Sequence, residues 1–96
     1  MAAYFIATPE AVLDLKSMQE YAANAPAIVE SFGGRYLVTR GATRALEGSW
    51  EPRFMVLIEF PSMDRLLEFY ESPEYRPWRE LRQKAAKASI VATEGT

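Results

Sequence analysis

Two short segments and the loop between them limit the fold more than any other part of the chain. Arg35–Arg40 and Arg53–Phe60 both read as strands, and twelve residues, Gly41–Pro52, connect them. Side chains alternate between the two faces of a strand. In the second segment Phe54, Val56, Ile58 and Phe60 share one face, and Arg53, Met55, Leu57 and Glu59 the other. The first segment gives Tyr36, Val38 and Arg40 on one side, and Arg35, Leu37 and Thr39 on the other. One apolar face is expected of a sheet that packs on helices, whereas two argue that the far side is covered as well. The chain has helical segments for one face only, so a second copy is the simplest cover for the other. The alternative is a strand with a few exposed apolar residues, which is common on monomers.

The length of 96 residues fits one domain, 1–96. A chain that is 49% hydrophobic and 25% charged is globular rather than disordered. Its net charge of −2 makes it a poor partner for nucleic acid, because phosphate contacts need a basic surface. It has no cysteine and no histidine, which removes disulfides, thiol chemistry and the commonest general base and transition-metal ligand. No Asp/Glu cluster has the spacing of a magnesium or calcium site, so no metal is expected, and no cofactor either. No apolar run is long enough to span a bilayer and no signal peptide is visible, so the expectation is a cytoplasmic protein without a membrane partner.

In chain order, Ala3–Thr8 is aromatic and β-branched and reads as the first strand. A helix then begins either at Thr8-Pro9-Glu10 or at Asp14, both workable N-caps. Leu15, Met18, Ala22, Ala25, Val29 and Phe32 recur at helical spacing, and Pro26 predicts a kink near Ala22–Ala25. Gly33-Gly34 ends this helix, with one glycine in the left-handed conformation. After the two central strands, in which Arg35 would face Glu59, Ser62 can cap a helix carrying Met63, Leu66, Leu67 and Tyr70. Ser72-Pro73-Glu74 restarts the chain as a further cap and proline at N1. Tyr75, Trp78, Leu81, Ala85 and Ala88 form the next apolar stripe, and Ile90–Thr93 is a last strand. The order is β-α-β-β-α-β, the ferredoxin-like α+β arrangement.

Several segments together resemble a known family: Gly33-Gly34-Arg35, Arg40-Gly41, Leu46-Glu47-Gly48 with Trp50, Arg53, Glu59-Phe60-Pro61-Ser62, Ser72-Pro73-Glu74-Tyr75 and Arg82. Across nearly its whole length the chain is similar to domain-of-unknown-function family 1330, of the dimeric α/β-barrel group of ferredoxin-like folds. The resemblance favours Asp14 as the helix start. It implies two four-stranded sheets packed face to face across a two-fold axis, with the helices outside. It implies no reaction. The chain departs from the family at Thr39-Arg40-Gly41-Ala42, where a second glycine often follows the arginine, and at Pro77.

The more apolar even face of the central strands is assigned to the helix side. Arg40 then ends that face at the mouth of a cleft, with Tyr36, Trp50, Tyr75 and Trp78 as aromatic walls and Arg82 one turn beyond Trp78, able to stack on it. Aromatic walls with arginines suit a small planar or carboxylate-bearing ligand, because a guanidinium grips a carboxylate at two points. The structural alternative is that Tyr75 and Trp78 belong to the core and that the arginines make ion pairs, Arg40 with Glu47 for instance. Glu47, and after it Glu59, are the proton-acceptor candidates, but a carboxylate acts near neutrality only when burial raises its pKa. Three functions follow from these residues. One is a small-molecule enzyme without cofactor or metal, monooxygenase- or isomerase-like by fold analogy. The second is a non-catalytic ligand-binding or assembly domain that forms the same homodimer through its sheet faces. The third, RNA binding, is disfavoured by the acidic charge and by RFMVLIEF, which lacks the glycine of the RNA-recognition strand.

Overall fold

A computed structural model describes residues 1–96. The elements run β1 (Ala3–Val12), α1 (Leu15–Ser31), β2 (Arg35–Val38), β3 (Val56–Phe60), α2 (Met63–Glu71), α3 (Arg76–Ala85) and β4 (Ala86–Glu94). The strands form one antiparallel sheet in the order β2-β3-β1-β4. This is the ferredoxin-like α+β fold expected from the strand and helix order.

Local chemistry sets the boundaries. Asp14 is the N-cap of α1, accepting hydrogen bonds from the backbone N–H and hydroxyl of Ser17. The Thr8-Pro9 alternative is lost because β1 continues through Pro9 to Val12, with a register shift between Pro9 and Ala11. Proline lacks a backbone donor, so it fits such an irregularity better than a regular ladder. Helix α1 runs unbroken through Pro26. It ends in a Schellman turn: Gly34 N–H bonds the Val29 carbonyl, Gly33 N–H bonds the Glu30 carbonyl, and Gly33 takes φ +83°. Ser62 caps α2, accepting from Arg65 N–H at 3.1 Å. Ser72 instead closes the turn between the last two helices, donating to the Phe69 carbonyl and accepting from Tyr75 N–H. Helix α3 therefore starts at Arg76, with Pro77 in its first turn, where a missing N–H costs nothing.

The helices cover one face of the sheet only. Ala3, Phe5 and Ala7 of β1 and Ile58 and Phe60 of β3 meet Ala25, Val29, Leu66, Phe69 and Tyr75 from above. Phe69 is the hub, with Phe60 at 5.3 Å and Tyr75 at 4.2 Å between ring centroids. The buried side of α1 is turned from the expected stripe: Ala25 and Val29 are buried and Tyr21, Ile28 and Phe32 pack on the core, while Leu15 and Ala22 stay in water. On α3 the stripe also differs, since Arg82 is buried, Leu81 only half-buried, and Ala88 belongs to β4. The molecule is 17 Å thick in its thinnest direction, one helix layer on one sheet. Tyr4, Ile6, Leu57, Glu59 and Val91 consequently lie on a sheet face that nothing in the chain covers.

The expected pairing of Arg35 with Glu59 is present, with Arg35 Nη2 2.8 Å from Glu59 Oε1. Beyond it a register shift between Tyr36 and Val38 sets Val38 opposite Leu57. The two central strands are shorter than predicted, whereas β1 and β4 are longer. Residues 39–55 form an arm without helix or strand.

Candidate functional site

The β2 register shift separates the residues that strict alternation would have gathered. A one-residue slip sends the following side chains to the other face. The strand also ends at Val38, so Arg40 lies beyond it, on the irregular arm rather than at the end of a strand face. It is exposed, its guanidinium lies 5.0 Å from the centroid of the Phe54 ring, and it makes no ion pair with Glu47. Glu47 is exposed on the arm with no hydrogen bond. Trp50, 64% exposed, is on the arm too. It lines a groove of about 240 Å³ with Thr8, Pro9 and Glu10 of β1 and with Glu51, Pro52 and Arg53. Glu59 is held by Arg35 on one oxygen and by the Tyr4 hydroxyl, 3.3 Å away, on the other.

The remaining four candidates lie on the helix side. Tyr75, fully buried, and Trp78, half-buried, pack with the core, and Tyr36 packs against it from β2. Burial, then Tyr75 and Glu30, push the Tyr36 hydroxyl up to about 12. Sequence reasoning missed Tyr21 of α1, whose hydroxyl is 2.5 Å from that of Tyr75. Burial first, and Tyr75 next, raise its pKa, so Tyr21 stays protonated. The signal for Tyr21 was present in its place one position before Ala22, on the helix face that turned inward.

Arg82 completes the cluster and is its most unusual member. Its residue surface is 8% exposed, and its guanidinium lies over the Tyr21 ring at 5.8 Å, not over Trp78. No carboxylate pairs with it. Burial works against the charged form, but the Tyr75 and Tyr21 hydroxyls more than offset this, and the net direction is up. Even so, Nε and Nη2 have no aligned hydrogen-bond acceptor. Arg82 also lines a second groove of about 330 Å³, with Glu10, Gln83, Ala86, Lys87, Ala88 and Ser89. The arrangement can hold a cation, and hydroxyl donors beside it, away from water. It offers no acidic group positioned as a base, and no three acidic side chains converge as they would around a metal ion.

Comparison with known proteins supports the fold. A protein of unknown function from Rhodopseudomonas palustris superposes with a TM-score of 0.77 at 17% identity, over 99% of this chain and 82% of that one. A dimeric ferredoxin-like protein of unknown function from Jannaschia sp. CCS1 gives 0.72 at 12% identity, over 99% and 100%. SnoaB, a cofactor-independent oxygenase from Streptomyces nogalater, gives 0.68 at 11% identity, over 99% and 93%. No curated protein matches the sequence. The sequence profile of the domain of unknown function DUF1330 matches residues 2–96, and the chain belongs to that family.

Proposed function

We propose that the chain works as a homodimer that binds a small anionic aromatic compound in the groove between β1, α3 and β4. Arg82 carries this reading. A buried guanidinium without a carboxylate is costly, and an apolar side chain of similar size would fold as well or better. Its presence beside a groove is accounted for by a ligand that supplies the missing negative charge, with the Tyr21 ring backing the guanidinium from the core side. The dimer is supported by the uncovered sheet face and by similar structures that are described as dimeric. The arm residues Arg40, Glu47 and Trp50 are assigned to the rim or to the subunit contact.

The test is ligand binding by thermal shift and equilibrium dialysis, using aryl carboxylates and acidic phenols against their uncharged esters and ethers. Anions are expected to raise the melting temperature, and Arg82→Gln to abolish the rise. Equal stabilisation by the uncharged analogues, or none by any compound, overturns the reading. A second reading, oxygen chemistry on the bound compound without a cofactor, is favoured by the fold similarity to SnoaB. It predicts oxygen consumption that depends on the ligand, and no consumption with any bound compound rules it out.

A further inference from the structure

We propose that β3 lengthens by three residues onto the free end of β1, closing the groove beside Trp50 and drawing the Glu10 carboxylate to Arg53 and away from the ligand groove. Strand β1 runs for ten residues, but β3 pairs with residues 3–7 only. Beyond Ala7 the β3 side of β1 has no strand beside it, and an open strand edge is a ready template for pairing. The arm returns along this edge without joining it. Residues 50–53 of the arm and residues 8–10 of β1 line the groove of about 240 Å³ between them. None of the backbone hydrogen bonds outside the helices and strands involves residues 39–55.

The existing register decides what an extension pairs. Phe60 lies opposite Ala3 and Val56 opposite Ala7. The same ladder continued sets Met55 opposite Thr8, Phe54 opposite Pro9 and Arg53 opposite Glu10. These three arm residues open the RFMVLIEF segment, which patterning reads as one strand and of which the structure leaves the first three residues on the arm. The last pair joins opposite charges, and charges of opposite sign set directly across a ladder stabilise it. Neither Glu10 nor Arg53 has an ion pair while the groove is open. Glu10 falls at the β1–β4 register shift, so no strand partner holds it on either side. Pro9 supplies at most an acceptor, which keeps the extension weak enough to reverse. Glu10 also lines the groove beside Arg82 and Lys87. Its free carboxylate repels an anion there, and pairing with Arg53 relieves the repulsion. By linkage, an anion in that groove promotes closure. This coupling rests on the proposed ligand groove, whereas the strand extension does not.

Amide hydrogen exchange on the full chain reads the extension. Phe54 and Met55 should exchange about tenfold more slowly than residues 41–50. Arg53→Glu, which sets like charges opposite each other, should remove that protection, and Glu10→Arg combined with Arg53→Glu should restore it. Exchange at Phe54 and Met55 as fast as in the rest of the arm, or protection unchanged in Arg53→Glu, overturns the extension. Benzoate should slow exchange at the two residues further in the unaltered chain but not in Glu10→Gln. Benzoate binding without that change overturns the part given to Glu10 and leaves the ligand groove standing. If no anionic aromatic compound binds, the ligand groove and the coupling both fall, and the exchange rates decide the extension by themselves.

Discussion

Arg79 and Arg82 stand about one turn apart on α3, and the fold treats them differently. Arg79 donates to the Tyr70 carbonyl at 2.7 Å, lies over the Tyr70 ring and approaches Glu71. Arg82 has tyrosine oxygens and an aromatic face but no countercharge. A residue kept for binding at the expense of stability gives a recognisable result when replaced. Arg82→Met should leave the unfolding free energy unchanged or raise it by about 1 kcal/mol, measured by urea titration, while ligand binding is lost. A loss of several kcal/mol would show that the guanidinium is structural. The tyrosines predict the alkaline limit. Tyr36 has a folded pKa of about 12 against 10.0 for a free tyrosine, so its contribution is complete below pH 10 and is lost as pH rises toward 12. Tyr21 acts in the same direction. Stability measured from pH 9 to 12 should fall, and Tyr36→Phe should flatten part of the fall. Asp14 acts at the other end of the scale. The Ser17 backbone N–H, then its hydroxyl, hold the carboxyl below 3.8, so this contribution is present above that pH and is lost in stronger acid.

At the scale of elements, chemistry written into neighbouring residues was legible and chemistry that depends on distant partners was not. Asp14, Ser62 and Gly33 cap or close helices as their types predict, because each interaction spans at most a few residues. Ser62→Ala should therefore cost about 1 kcal/mol in chemical denaturation, through the lost bond to Arg65 N–H. A cost near zero would mean that the start of α2 is held by packing alone. The register shift in β2 and the end of the strand at Val38 had no local signature in Arg35–Arg40, and together they break the alternation that tied Arg40 to Tyr36. Alternation carried through to Arg40 placed it with Tyr36, but Tyr36 packs on the core while Arg40 is exposed beyond the end of the strand. Tyr21 was missed for a related reason. The stripe from Leu15 to Phe32 fits helical spacing, but the face of α1 that turns inward is fixed by packing on residues distant in sequence, among them Tyr75, whose hydroxyl Tyr21 meets. Of the candidate site, then, Tyr36, Tyr75, Trp78 and Arg82 were readable as a group, and the partner that gives Arg82 its setting was not.

At the scale of the molecule, the single helix layer leaves half the sheet without a cover. The order of elements along the chain and the two-sided apolar character of β3 were both visible in the sequence, the second because it needs only the alternation of side chains. The proposed dimer is tested most directly at Val91, which is 58% exposed in the single chain. Val91→Asp should leave each subunit folded by circular dichroism, because the position makes little contact within it. The same change should convert a dimer to a monomer in sedimentation at micromolar concentration. An unchanged sedimentation coefficient would place any subunit contact elsewhere.

Helix α3 gives way to β4 between Ala85 and Ala86 with no residue in between, and the Ala85 carbonyl accepts from both Leu13 N–H and Asp14 N–H where β1 turns into α1. Arg82 is three residues upstream, and its own carbonyl accepts from Ala86 N–H. The arginine is thus tied to a corner with no slack, where two chain reversals share one anchor. A guest that repositions its guanidinium must strain that corner, and the edge strand of the sheet and the start of the first helix will register the load together.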